Sequence, residues 1–308
     1  MAPSAGSTSH EVKSVGASTK GGMLAAGVLV VNALVWGVSW WPFRELQNQG
    51  LHPLWATAAI YWLVVVGMLA FRASALKDLL ANPVLWWLAL ASGLTNVGFN
   101  WAVTVGDVVR VVLLFYLMPA WAVLVAWLML GERPTKGSLL RLLLAMAGVL
   151  IVLKTPDSPW PVPQSGADWL ALMGGLSFAI TNALLRKYNH TPSGARMLAM
   201  FAGGALLASG VALLGVALHT LPAPSLNTAG IVVFIGLSLA FVASNAALQY
   251  GAARLPSSTT SLVMLTEILF ASLSAALLGA ADFSPRIFWG GSLIVLAALL
   301  AALAHHKE

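Results

Sequence analysis

Glu267 lies inside an apolar run, Leu262-Val-Met-Leu-Thr-Glu-Ile-Leu-Phe, in the place a soluble helix would give to another core residue. An ionised carboxylate at the centre of a membrane-spanning helix costs several kcal/mol, roughly 2.5–3.5 on the insertion scale for Asp. Such a group must face protein or water. There it can exchange a proton or pair with a cationic amine, or else donate as a permanently protonated carboxyl to a neighbouring helix. Helical spacing puts Thr260, Met264, Glu267, Ala271 and Ser274 on one small or polar stripe.

A second group, Ser92, Asn96, Asn100 and Thr104, recurs every four residues and so shares one face of a helix. Asn96, Asn100 and Trp101 are echoed by Asn245, Gln249 and Tyr250 at a constant offset, with Ser238 upstream. Amides donate and accept together, which suits a zwitterionic or polyfunctional solute and equally suits glue between helices. Asn32, Trp36 and Trp40 form an aromatic and polar face, Thr57 and Tyr61 another, and Tyr116 stands within a third run. Aromatic walls with a few convergent polar groups are what a small amphipathic ligand needs, although aromatics also simply fill space. Asp107 and Arg110 are three apart, the spacing of an ion pair, and Arg110 is a candidate contact for a carboxylate.

The elements that must position these residues follow from composition. Of 308 residues 59% are hydrophobic and 8% charged, against about 25% charged in a soluble domain, so the solvent for most of the chain is lipid. Ten apolar stretches approach the roughly 20 residues a helix needs to cross hydrocarbon. They run 23–42, 54–71, 84–104, 108–131, 139–153, 167–185, 197–218, 231–250, 259–279 and 287–304. The expected fold is all-α and integral to the membrane, with residues 1–22 as a disordered cytoplasmic tail and 305–308 as a second cytoplasmic tail.

With ten spans both termini share a side. Twelve Lys and Arg, from Lys13 through Arg186 and Lys187 to Lys307, then fall on that side, and Arg44, Arg110, Lys154 and Arg286 on the other. The positive-inside rule makes the richer side cytoplasmic, in a cell (inner or plasma) membrane.

Residues 154–166, KTPDSPWPVPQSG, separate two blocks of five spans, 23–153 and 167–304. The polar echo between the third and eighth spans, and a match of Pro119–Gly131 with Glu267–Gly279, make the blocks repeats. Because five is odd, repeats of the same internal order must be inverted relative to one another, an arrangement that puts a substrate site near the bilayer midplane.

At this point the chain resembles the EamA-like branch of the drug/metabolite transporter superfamily over about residues 23–303. The resemblance is carried by Trp36-Gly37-Val38-Ser39, by Pro119 with Leu130-Gly131-Glu132-Arg133-Pro134, and by Tyr250-Gly-Ala-Ala-Arg-Leu-Pro256 and Leu265-Thr-Glu-Ile-Leu-Phe-Ala271. It implies a ten-helix secondary carrier of two inverted five-helix repeats, commonly an exporter of amino acids, metabolites or drugs. One departure is Gly279-Ala280, where the second repeat of the family usually has Gly-Glu.

Other classes are disfavoured. The chain has no cysteine, no HExxH, GxSxG or DxxD constellation and no phosphate-binding Gly-Lys-Ser/Thr, and its six histidines lie in loops or tails. An enzyme is therefore not expected, nor a metal or other cofactor. The scattered basic residues argue against nucleic acid. A channel or a non-transporting membrane scaffold remains as an alternative. The expected partners are a small-molecule substrate and the bilayer, and a homodimer stays open. The expected substrate contacts are Asn32, Trp36, Asn96, Asn100, Tyr116, Asn245 and Gln249, with Glu267 coupling transport and Arg110 meeting a carboxylate.

The topology is directly testable. Reporter fusions after Ser158 should register outside the cell and fusions after Asn189 inside, and the opposite pair of signals would break the ten-span reading.

Overall fold

The computed structural model describes residues 8–106, 108–153, 163–225, 228–279 and 285–304, and side chains within them except at 8–20, 103–104, 108–110 and 228–229. Every regular element among these is a helix. The first half contains α1 (Thr8–Val38), α2 (Trp40–Asn48), α3 (Pro53–Phe71), α4 (Ser74–Ala81), α5 (Leu85–Val105), α6 (Val108–Phe115), α7 (Met118–Leu130) and α8 (Lys136–Leu153). The second contains α9 (Gly166–Lys187), α10 (Ser193–Ala217), α11 (Thr228–Ala252), α12 (Ser257–Met264), α13 (Glu267–Leu277) and α14 (Pro285–Ala304).

Nine stretches among the described residues are both long and apolar enough to cross a membrane. The tenth crossing is α5. Its 21 residues suffice in length, but it carries Ser92, Thr95, Asn96 and Asn100 and is not among those nine. It packs along both α9 and α10, and this shielding from lipid lets it carry amides.

Three local features differ from expectation. Helix α1 begins at Thr8, so residues 8–22 continue the first span rather than forming an irregular tail. No proline interrupts that stretch, and extending an existing helix costs far less than nucleating one. Residues 74–81, read as loop, form α4, which buries Ala75 and Leu79 against the bundle. The fourth span, where Pro119 predicts a kink, and the ninth, read as continuous, are broken into α6/α7 at Tyr116-Leu117 and α12/α13 at Leu265-Thr266. Pro119 in the first turn of α7 accounts for the first break, since a proline there needs no N–H. The second occurs without proline.

The breaks fall at matching places in the two halves, and both half-helices end in a left-handed glycine, Gly131 at φ 72° and Gly279 at φ 68°. Their coverings match too. A Cβ on Gly37 of α1 would lie 2.5 Å from the Glu267 carbonyl oxygen, and one on Gly175 of α9 would lie 2.6 Å from the Phe115 carbonyl oxygen. Each half thus sends its first span, by way of a glycine, onto the broken span of the other. The last spans, α8 and α14, meet through Gly148 and Gly290, where a Cβ on either would lie 2.6 Å from the other's carbonyl oxygen.

At the N-terminal end of α3 the His52 Nδ1 accepts from the Leu54 N–H at 3.3 Å, with Pro53 in the first turn. Burial lowers the imidazole pKa and so favours the neutral, accepting form. The polar linker at 154–162 lies outside the described residues, but its end is well defined. Ser165 caps α9 in a reciprocal box with Asp168.

One pair of helices is sealed and its counterpart is not. Along α5 and α10 the backbones touch, with a Cβ on Gly93 falling 2.5 Å from the Gly203 carbonyl oxygen and one on Gly203 running into Ala89. Between α3 and α11, the equivalent pair by inversion, a cavity of about 840 Å³ opens instead.

Gly203→Ala should therefore destabilise the protein by about 1–3 kcal/mol, as overpacking does. The control is Gly210→Ala on the same helix, which has open space and should be neutral or slightly stabilising. Thermal midpoints in detergent would separate them, and equal midpoints would contradict the α5–α10 contact.

Candidate functional site

Near the two breaks the polar residues of both halves converge. Asn32 of α1 donates through Nδ2 to the Ser244 carbonyl oxygen at 2.8 Å and to its Oγ at 2.6 Å, joining the first span to the eighth. Its Oδ1 is buried without a partner. Tyr61 of α3 donates to Asn96 Oδ1 at 2.9 Å, and the Asn96 Nδ2 donates back along its own helix to the Ser92 carbonyl oxygen at 2.8 Å. Asn100 donates to Thr57 Oγ1 at 2.7 Å. These last two amides are thus engaged within the first half, and they hold α3 to α5.

Glu267 opens α13, and the Tyr116 hydroxyl, from the break in the other half, donates to its Oε1. The two breaks therefore face each other and are joined by this hydrogen bond. The helix stripe read through Glu267 is divided by the break, with Thr260 and Met264 on α12 and Ser274 on α13. The Ser274 Oγ accepts from Trp40 Nε1 at 2.9 Å, farther along α13.

Around these groups stands an aromatic wall. Trp36 lies 4.8 Å from Phe241 between ring centroids, Tyr61 4.9 Å from Phe201, and Phe99 4.7 Å from Phe115, which reaches on to Tyr116 and Phe178. The central cavity measures about 80 Å³. Ligand pockets commonly run about 300–1,000 Å³, whereas one water takes about 30 Å³ of liquid volume, so this space is narrower than a ligand needs and has room for a few waters.

Asn32, Trp36, Asn96, Asn100, Asn245 and Glu267 line this cavity, and Tyr116 reaches it through Glu267. Gln249 does not line it. One helical turn beyond Asn245 on α11, it faces the gap between α3 and α11, where it shares a hydrogen bond with the Asn245 amide at 2.7 Å, donates to the Ser193 carbonyl oxygen at 3.2 Å and accepts from the Met197 N–H at 3.2 Å. Asn245 in turn donates to the Met200 sulfur at 3.5 Å. Asp107 and the side chain of Arg110 lie outside the described residues.

The sequence reading missed the phenylalanines of the wall, because a Phe in an apolar helix carries no mark of facing a cavity. It also missed Arg196. That residue is 7% exposed, and a buried cation at the start of a span was a visible sign, obscured by counting it with the loop charges.

Comparison with known proteins matches residues 23–154, the first five spans, to the EamA-like transporter family. A solved crystal structure of a protein superposes with a TM-score of 0.76 at 15% identity, covering 92% of this chain and 98% of that one, a likeness of fold. No curated protein matches the chain.

Replacing Asn96 or Asn245 by Ala should leave membrane insertion intact and weaken solute transport by reconstituted protein roughly two- to tenfold, the effect of one hydrogen bond of about 0.5–1.5 kcal/mol. Wild-type transport by both variants would remove these amides from the site.

Proposed function

We propose that this chain, whose first five spans match the EamA-like transporter family, is a multi-pass membrane transporter that exports a small amphipathic metabolite, an amino acid or related amine, by alternating access coupled to protonation of Glu267. The observation that carries the reading is the pairing of Glu267 with a buried acceptor that has no partner, Asn32 Oδ1, in one aromatic-walled cavity. An unsatisfied buried acceptor costs about 1–3 kcal/mol, a cost that a donor on a bound solute would relieve. A carboxyl and an amide oxygen together suit an ammonium group, and Trp36 and Phe241 suit the apolar remainder.

Glu267 has two oxygens, and Tyr116 donates to one. The other is left for a proton or for the substrate's ammonium. Competition between these two for one carboxyl is the simplest basis of exchange, with substrate loaded from one side and a proton returned from the other as the halves move. The small volume of the centre and the open gap between α3 and α11 support a cycle in which α11 moves against α3 while α5 stays with α10. The cytoplasmic placement of both termini rests on the charge count, and outward transport is what the family resemblance implies.

Glu267→Gln keeps size and hydrogen bonding but cannot ionise. It should insert normally, lose pH-gradient-driven accumulation in liposomes by at least tenfold, and retain exchange of labelled amino acid in the absence of a gradient. Full gradient-driven transport by this variant would reduce Glu267 to a structural partner of Tyr116.

A further inference from the structure

The cavity between α3, α10 and α11 is separate from the central one in its lining and chemistry. Its walls are Leu63, Val64, Met68, Ile235, Leu239 and Val242, apolar side chains at acyl-chain depth. Its end toward the face that the charge count makes cytoplasmic is rimmed by Arg72, Arg196 and Arg254, and no carboxylate lines it. Arg72 and Arg254 are exposed, and Arg196 is buried. Arg196 donates to a neutral acceptor, the Tyr188 carbonyl oxygen, at 3.2 Å. Arg254 donates to the Tyr250 carbonyl oxygen at 3.0 Å and lies 3.7 Å over the Tyr250 ring.

From this gradient, apolar at depth and cationic at the rim, we propose that the cavity is a binding site for an acidic phospholipid of the cytoplasmic leaflet. One acyl chain lies between α3 and α11, and the phosphate is held by Arg72 and Arg254. The charge complementarity is specific to an anionic headgroup, since a zwitterionic lipid brings a cation to a rim that already holds three. Basic pockets between helices on the cytoplasmic side are suited to such headgroups. The occupant also has a mechanical consequence. It fills the space that α11 must cross to close on α3, so the lipid holds the transporter in the conformation with this gap open, independently of what the central cavity carries.

The test uses the full chain purified in detergent, titrated with phosphatidylglycerol, phosphatidylcholine or inorganic phosphate, with thermal midpoint and lipid retention in native mass spectra as readouts. Phosphatidylglycerol should be retained and raise the midpoint, and the other two should not. Arg72→Gln and Arg254→Gln should each weaken its apparent affinity about fivefold, the worth of one basic residue near an anionic surface. The corresponding Lys substitutions should retain it. Leu239→Trp, which fills the groove and leaves every arginine in place, should reduce retention as well. Equal effects of phosphatidylcholine and phosphatidylglycerol would overturn the proposal. So would full phosphatidylglycerol preference in the double Gln variant, or undiminished retention by Leu239→Trp. An equal shift with phosphate alone would leave a simple anion site and refute the lipid.

Discussion

A backbone N–H or C=O left without a partner in hydrocarbon costs several kcal/mol, and this protein interrupts two of its spans near their middles. The rest of the arrangement follows from making those interruptions tolerable. At the second break Leu265, Thr266, Ile268 and Leu269 donate three residues back, the tighter pattern that ends and restarts a helix, and Thr266 Oγ1 adds a bond to the Val263 carbonyl oxygen at 2.8 Å. At the first, Leu117 bonds to Leu114 and Ala120 to Leu117 in the same way. What remains must be kept from lipid by protein, and α1 and α9 do this by lying on the opposite half's break. Glycine at 37 and at 174–175 lets the backbones come that close. The Trp36-Gly37 pair thereby joins two tasks in adjacent residues, since the tryptophan lines the cavity while the glycine seats the helix.

The same requirement explains where polarity is allowed. Helix α5 carries its amides because α9 and α10 cover it, and within that cover Asn96 and Asn100 bind Tyr61 and Thr57 of α3. A polar helix is thus fixed to an apolar one by side-chain bonds, and to α10 by backbone contact at Gly93 and Gly203. In the other half Asn245 and Gln249 bond to each other and to Met200, Ser193 and Met197 of α10 rather than forming an equivalent seal. Repeats of similar sequence therefore occupy different packings in one molecule.

Spans were legible because hydrophobic length and loop charge are properties of segments, and all ten crossings expected from the sequence have helices at their places. The constellation of Asn32, Trp36, Asn96, Asn100, Asn245 and Glu267 was legible as well, because a polar side chain in hydrocarbon is conspicuous. Properties that depend on one turn of rotation were not. Gln249 is one turn from Asn245 yet faces another cavity, and a broken helix needs no proline when a threonine hydroxyl and tighter backbone bonds can satisfy the turn. The phenylalanine wall was hidden because its residues are as much at home in lipid as in a pocket.

The position of Glu267 at the first residue of α13 matters beyond its depth. An uninterrupted helix gives a midspan carboxylate no free N–H group, and its charged form bears the whole cost of leaving water, about 2.5–3.5 kcal/mol on the insertion scale for Asp. The start of a half-helix instead offers the positive end of a dipole, worth about 0.3–1 kcal/mol and up to about 2 where partly buried. The Tyr116 hydroxyl adds a donor that serves either protonation state, since a carboxyl keeps an acceptor oxygen when it carries a proton. The break therefore narrows the gap between the charged and neutral forms without the need for a second acid. A titratable carboxyl thereby stands where the two halves meet, at the start of the half-helix that ends before Gly279.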